Sequence, residues 1–248
     1  VGKNAGLSVT TGTNNTLIGG LAGDAITTAS YSVAVGQGAA TNTTTSSQGF
    51  TAVGADSLFT NTTGTDNVAV GRASMYSNTT GGNNVAVGRS ALQANTTASN
   101  NTAVGYHSLL ANTTGTENSA LGRYSLYTST TGAYNTAVGT NALFASTTSS
   151  FNTALGSNAL FANTTADNNT AVGKSALAAN TTGASNTALG AFALDANTTA
   201  TNNTAVGKNA GGANTTGRID AFGADTLQAN TTGNGNAAFG ATALNATT

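Results

Sequence analysis

Residues 169–185 read NTAVGKSALAANTTGAS, and the following 17 residues, 186–202, read NTALGAFALDANTTATN. Both stretches place an apolar residue before a glycine, a leucine four residues after it, and then an Asn-Thr-Thr tripeptide. This glycine recurs almost every 17 residues, with one step of 18 and one of 16, as Gly2, Gly19, Gly36, Gly54, Gly71, Gly88, Gly105, Gly122, Gly139, Gly156, Gly173, Gly190, Gly207, Gly223 and Gly240. A short period kept along a whole chain predicts a solenoid, in which each coil stacks on the next.

The period leaves no linker or change of composition at which the 248 residues could be divided. It therefore predicts a single repeat domain over residues 1–248, with about fifteen coils of 17 residues. The chain begins with Val1 inside a repeat and ends before a coil is complete, so we expect it to be an excerpt of a longer chain.

The short apolar runs favour strands over helices. The N-T-A-V-G segment is too short for a helix, contains β-formers and ends at a residue suited to a turn. The A-L-x-A-N-T-T-G segment predicts a second short strand, because Asn-Thr-Thr is poor helix material and the glycine marks another turn. The predicted fold class is all-β, a parallel β-solenoid or β-roll with two strands in each coil.

Residues one period apart lie above one another and form columns, each with one environment. The residue before the glycine is apolar in every coil, from Val1 to Phe239, and we expect this column to face the interior. The leucine column, which runs from Leu58 to Leu244, is expected to form the facing wall. Side chains alternate along a strand, so the alanine before each of these apolar residues would then point outward.

An outward column of alanine predicts an interface between chains. Solvent alone would not require a methyl group in almost every coil, so we expect partner chains to pack on this face. The predicted interface residues are Ala34, Ala52, Ala69, Ala86, Ala103, Ala120, Ala137, Ala154, Ala171, Ala188 and Ala205. The alternative is a roll so thin that both sides of the strand are internal.

A second column carries aromatic side chains five residues after the glycine, at Phe59, Tyr76, Tyr127, Phe144 and Phe161. If exposed, these would form an aromatic contact stripe suited to sugar stacking or protein contact; if buried between chains, they would be interface core. Six basic residues directly follow the glycine and predict a solvated edge, namely Lys3, Arg72, Arg89, Arg123, Lys174 and Lys208.

Asparagines recur at the start of the first strand and before the paired threonines. Side-chain amides stacked in this way are expected to form hydrogen-bonded ladders along the solenoid. The Asn-Thr-Thr tripeptides also match the acceptor pattern for N-glycosylation.

The composition argues against several classes of function. Charged residues make up 6% of the chain and the net charge is -1, so no basic surface for nucleic acid is expected. The chain has one histidine, His107, no cysteine, and scattered acidic residues. We therefore expect no enzyme, cofactor or metal site. No stretch is apolar enough to predict a membrane span.

The segment Ser32-Val33-Ala34-Val35-Gly36-Gln37-Gly38-Ala39 and the copies at 67–71 and 84–88 resemble the head repeat of trimeric autotransporter adhesins. A similar repeat recurs in phage tail-fibre-like proteins. The resemblance implies a left-handed parallel β-roll, a secreted homotrimer, and a surface fibre that binds host or matrix molecules. In this chain the second half of each coil is longer than the usual segment of that family.

These observations together predict a non-catalytic structural and adhesive segment of an extracellular fibre or cell-surface filament. Its expected partners are further copies of itself, as a homotrimer or filament, and a host or matrix protein or glycan. One alternative is a receptor-binding segment of a phage tail fibre. Another is an ice-binding β-solenoid whose threonine columns order water, although only one threonine of each adjacent pair can face outward.

Overall fold

The computed structural model describes residues 2–44 and 48–246. It confirms the predicted fold class, because the chain forms an all-β parallel solenoid of about 13 turns. Strands and turns account for the regular structure of the described residues, which contain no helix. Val1, the first residue of the apolar column, lies outside them.

The coils group into two compact units, Val1–Arg123 and Tyr124–Thr248. The first unit contains β1 (Thr16–Ile18), β2 (Val33–Val35), β3 (Thr51–Val53), β4 (Val68–Val70), β5 (Val85–Val87), β6 (Thr102–Val104) and β7 (Ser119–Leu121). The second contains β8 (Thr136–Val138), β9 (Thr153–Leu155), β10 (Thr170–Val172), β11 (Thr187–Leu189), β12 (Thr204–Val206), β13 (Ile219–Phe222) and β14 (Asn236–Phe239). The assignment of residues 1–248 to one repeat domain stays a prediction.

Within each unit, every strand pairs in parallel with the equivalent strand of the next coil. The register equals one repeat, so that Ala86 of β5 pairs with Ala103 of β6, and Ala171 of β10 pairs with Ala188 of β11. Equivalent residues therefore stack in columns, as the period predicts.

The second half of the coil is a series of turns, and the prediction of a second strand there is wrong. In the coil that follows Gly88, both Ser90 and Leu92 have left-handed backbone, each with a φ of 53°. A strand cannot contain such residues, since its backbone needs negative φ throughout. Hydrogen bonds to the next coil continue along this side, for example from the N–H of Leu92 to the carbonyl of Ser108 at 3.0 Å.

The coil interior is filled by the leucines of the turns and the alanines of the strands. Leu109, Leu143 and Leu177 are fully buried, which confirms the prediction for the leucine column. The strand has the opposite orientation to the one predicted. Its alanines point inward, and the apolar residue before the glycine points outward, so that Leu155 and Leu189 remain 45% and 46% exposed.

Two departures from the repeat show why alanine faces inward. Leu17 stands at the alanine position of its coil, and Gly6 and Gly23 stand at the leucine position of the coils around it. A Cβ atom added to Gly6 would lie 2.7 Å from Leu17 Cδ1, and one added to Gly23 would lie 2.9 Å from Leu17 Cδ2. The two columns therefore share one space, which valine and leucine together would overfill.

Asparagine amides connect successive coils in this interior and confirm the predicted ladders. Asn95 Nδ2 donates to Asn78 Oδ1 at 2.7 Å, and Asn78 Nδ2 donates to Asn61 Oδ1 at 2.9 Å. The same nitrogen of Asn95 also donates to the carbonyl of Ala98 at 3.0 Å. These amides are fully buried. A glycan on such a nitrogen has no room in the folded coil, although the tripeptide matches the glycosylation pattern.

The asparagines at the strand starts form a second ladder, which extends the backbone hydrogen bonding. Asn152 Oδ1 accepts from the backbone N–H of Asn169 at 2.9 Å. Asn152 Nδ2 donates to the carbonyl of Ala166, also at 2.9 Å. Each amide thus acts as an additional peptide group between coils, and it satisfies backbone atoms that the turns leave without a strand partner.

The repeated glycine is required because the backbone of the next coil lies close to it. Gly71 has a φ of 127°, and a Cβ atom at this position would lie 2.6 Å from the backbone carbon and oxygen of Gly88. Both the left-handed backbone and the contact exclude a side chain.

We expect Gly71→Ala to lower the free energy of unfolding by at least about 2 kcal/mol, because the alanine combines an unfavourable φ with a clash against the next coil. The matched control is Gly82→Ser, which we expect to change that energy by less than about 0.5 kcal/mol. Serine already occupies the same position one coil later, at Ser99. Urea unfolding followed by circular dichroism measures both variants, and equal losses would contradict the close approach at Gly71.

Candidate binding surfaces

Within each unit, the outward side of the strands carries a regular and almost uncharged array of side chains, termed here the outer strand face. Each coil contributes the residue before its alanine and the residue after it, such as Thr170 and Val172 of β10. In the described strands of the first unit these positions hold only Thr, Ser, Val, Ile and Leu. In the second unit Asp220 is the charged exception among them. The face is therefore almost uncharged and repeats with every coil.

The residues predicted as the chain interface do not lie on this surface. Within their own chain they are buried at 0–1% exposure: Ala34, Ala52, Ala69, Ala86, Ala103, Ala120, Ala137, Ala154, Ala171, Ala188 and Ala205. The prediction that these alanines point outward is wrong, because the narrow interior accepts only a methyl group opposite the leucines. The outer side of the strand is partly exposed, so the alternative of a strand internal on both sides does not hold within one chain either.

The residues predicted as an aromatic contact stripe form two stacked groups of rings, one in each unit. The rings of Phe59 and Tyr76 lie 5.1 Å apart at an interplanar angle of 2°. In the second unit Tyr127 stacks on Phe144, and Phe144 on Phe161, each pair at 5.2 Å and 12°. Four of the five rings are half-buried and Phe161 is 37% exposed. These contacts are close enough for favourable ring stacking.

A groove lies at the end of the second stack. Its volume is about 380 Å³ and its lining residues are Asn141, Asn158, Phe161, Ser175 and Ala178. Asn141 Nδ2 donates to Asn158 Oδ1 at 3.1 Å across one coil step. Sequence reasoning identified Phe161 but missed the polar residues beside it.

A notch of about 360 Å³ lies where one coil is shortened. The step from Gly207 to Gly223 is 16 residues, so Arg218 alone replaces the pair that the coil before it carries as Thr201 and Asn202. All three of these residues line the notch. The irregular spacing was visible in the sequence, and a shortened loop between longer ones leaves such a gap.

The basic residues that follow the glycine are exposed, as the prediction of a solvated edge requires. Some of them lie over aromatic rings. Lys174 Nζ is 5.3 Å from the ring centroid of Phe192, and the Arg89 guanidinium carbon is 5.8 Å from that of Tyr106. At exposed sites such cation–π contacts contribute about 0.5–1 kcal/mol each.

Titratable groups do not converge in the part of the chain that the structure describes. No group of three or more His, Cys, Asp or Glu side chains suited to a metal ion occurs among those residues. The His107 ring stacks on Tyr106, with centroids 3.8 Å apart. Across residues 2–44 and 48–246, no helix has the length and apolar character of a membrane span.

Acidification is expected to weaken the fold through His107. Burial and the nearby Arg89 guanidinium both lower the pKa of His107, because they disfavour the imidazolium form. In the unfolded chain His107 retains the ordinary pKa of about 6.5. The free energy of unfolding is therefore highest above that pH and decreases as the pH falls through it, because the unfolded chain then binds a proton more readily than the folded chain.

The control variant is His107→Asn, since Asn141 holds the same position and the same left-handed backbone in a later coil. The thermal unfolding midpoint is measured at neutral pH and at about pH 5. The decrease between the two should be larger for the wild-type chain than for the variant. An identical pH dependence would show that His107 is not responsible.

Comparison with protein-family models, with curated proteins and with solved structures finds no match to this chain. The class defined by the fold is that of parallel β-solenoid repeat proteins.

Proposed function

We propose that this chain is a non-catalytic structural and adhesive segment of an extracellular fibre, in which copies of the chain associate along the outer strand face. The observation that carries the proposal is the exposure of large apolar side chains there, with Leu121 50%, Leu155 45% and Leu189 46% exposed. Soluble monomers rarely expose a contiguous apolar surface, and such surfaces usually mark interaction sites.

A second copy of the same chain suits this surface better than an unrelated partner. The face repeats with the 17-residue period, so identical faces can meet with every coil in an equivalent environment. It offers almost no charge with which to select a different protein. Bare backbone edges are not needed for the contact, because within each unit the strands already pair with their neighbours.

The resemblance to the head repeat of trimeric autotransporter adhesins and of phage tail-fibre-like proteins supports a homotrimer at the cell surface. In the segments that carry the resemblance, Val33, Val35, Val85 and Val87 belong to the outer strand face and are partly exposed. Three such faces around a common axis would bury these valines against one another. Other sides of each coil would remain available to a host or matrix protein or glycan.

The test is Leu155→Glu, which places a charge in the proposed seam of the second unit. We expect the wild-type chain to sediment as a trimer and this variant to shift towards the monomer, because burying an unpaired carboxylate is costly. The control Thr165→Glu changes an exposed threonine outside the strands and should leave the mass unchanged. A monomeric wild-type chain at high concentration, or a variant that keeps its mass, would refute the proposal.

One feature also favours ice binding as a second candidate. On the outer strand face Thr153, Thr170 and Thr187 each stand two residues before a Val or Leu, so hydroxyl and methyl groups repeat about every 7 Å along the strand and about 4.8 Å between coils. The paired threonines contribute less, since the first of most pairs, such as Thr164, donates its hydroxyl to the next coil. A monomer with thermal hysteresis would support this candidate; a trimer without hysteresis would exclude it.

A further inference from the structure

We propose that the groove beside Phe161 binds a pyranose ring of a neutral glycan, an inference that rests on the adhesive role proposed above. The groove lies in the turn half of the coil, and no residue of the outer strand face lines it. It would supply the fibre with a ligand site of its own. Three features support this assignment: an open aromatic face, side-chain amide and hydroxyl groups beside it, and the lack of charge.

The aromatic face is open because the stack ends abruptly. Phe144 covers one side of the Phe161 ring, and the next residue of the column is Ala178, whose methyl group is too small to cover the other. Phe161 is consequently the most exposed ring of the stripe, at 37%. A flat apolar ring open on one side suits the C–H face of a pyranose, which is itself apolar on one side and polar at its rim.

Polar groups surround that ring where sugar hydroxyls would lie. The hydrogen bond from Asn141 Nδ2 fixes Asn158 Oδ1 as an acceptor, so the Asn158 Nδ2 group is directed elsewhere. Neither Asn158 Nδ2 nor the Ser175 hydroxyl donates a hydrogen bond to another described residue, and both residues line the groove. They offer two amide hydrogens and a hydroxyl that can donate or accept.

The left-handed backbone helps to place these polar groups. Asn141 and Asn158 both have a φ of 57°, and Ser175 one of 55°. The three residues belong to one column, and hydrogen bonds link their backbones to neighbouring coils. For example, the N–H of Ser175 donates to the carbonyl of Ser157 at 2.9 Å. A rigid backbone reduces the entropy lost when a ligand binds.

The ligand class follows from size and charge. None of the five lining residues is charged, and the adjacent Lys174 extends over the Phe192 ring instead of lining the groove. A neutral ligand is therefore favoured over a sialylated or sulfated one. The volume of about 380 Å³ lies at the lower end of small-ligand sites, which suits one or two sugar rings.

The decisive variant is Ala178→Phe, which continues the stack and covers the open face of Phe161. The fold should tolerate it, because Phe144 and Phe161 occupy the same column position in earlier coils. A second variant, Phe161→Leu, removes the ring but keeps an apolar side chain that this column already holds at Leu110. The matched control Gln93→Phe adds an aromatic residue to the same column in the first unit.

Saturation-transfer NMR with methyl β-glucopyranoside, methyl β-galactopyranoside and N-acetylglucosamine measures binding to the full chain. We expect transfer to the ring C–H protons of at least one of these sugars, reduced at least about fivefold by Ala178→Phe and by Phe161→Leu and unchanged in Gln93→Phe. No transfer to any of the three sugars, or full transfer in folded Ala178→Phe, would overturn the proposal.

Sedimentation of the same samples separates this proposal from the proposed fibre function. A trimer that fails to bind sugar would refute the groove and leave the fibre proposal standing. A monomer that binds sugar through Phe161 would refute self-association and leave the groove standing.

Discussion

The narrow interior of the coil is the constraint on which the rest of the structure depends. Each 17-residue turn encloses room for one large apolar side chain, two small side chains and two amides. In one coil these are Leu177, then Ala171 and Ala176, then Asn169 and Asn180. The space opposite each leucine is limited to a methyl group, so the larger Val or Leu of the strand is left on the outside. The row of exposed apolar side chains on the outer strand face, one in each coil, is thus a direct consequence of a thin core, and it gives the chain a reason to associate.

Much of this architecture could be predicted from the sequence. The glycine period fixes the stacking register. The leucine column indicates buried positions correctly, and the asparagine columns correctly indicate hydrogen-bonded ladders. Alternation could not show which side of the strand faces the interior. It shows only that Ala171 and Val172 lie on opposite sides. The sequence did contain one indication of this side: where Leu17 replaces the alanine, Gly6 and Gly23 replace the neighbouring leucines, so the two columns compensate each other in size. The turn half was mistaken for a strand because left-handed backbone is usually marked in a sequence by glycine or asparagine. Here leucines such as Leu92 adopt it, so the sequence did not indicate the turns.

The binding surfaces were partly predictable for the same reason. The aromatic column was visible as a spacing of residues, and stacking between coils follows from the register. The groove could not be predicted from this spacing alone. It also depends on the small Ala178 that follows Phe161 in the column and on the turn geometry of Asn141 and Asn158. In a solenoid built from nearly identical coils, distinctive surfaces arise where one coil differs in size from its neighbour, and the shortened coil at Arg218 is a second example.

A double-mutant cycle on Ala171→Leu and Leu177→Gly tests most directly whether these two columns share one interior. The pair reproduces the arrangement of Leu17 and Gly23, and glycine also suits the φ of 52° at Leu177. We predict that each single change lowers the free energy of unfolding and that the double variant recovers at least about 2 kcal/mol of the summed loss. Additive losses, with no recovery, would contradict an interior shared by alanine and leucine.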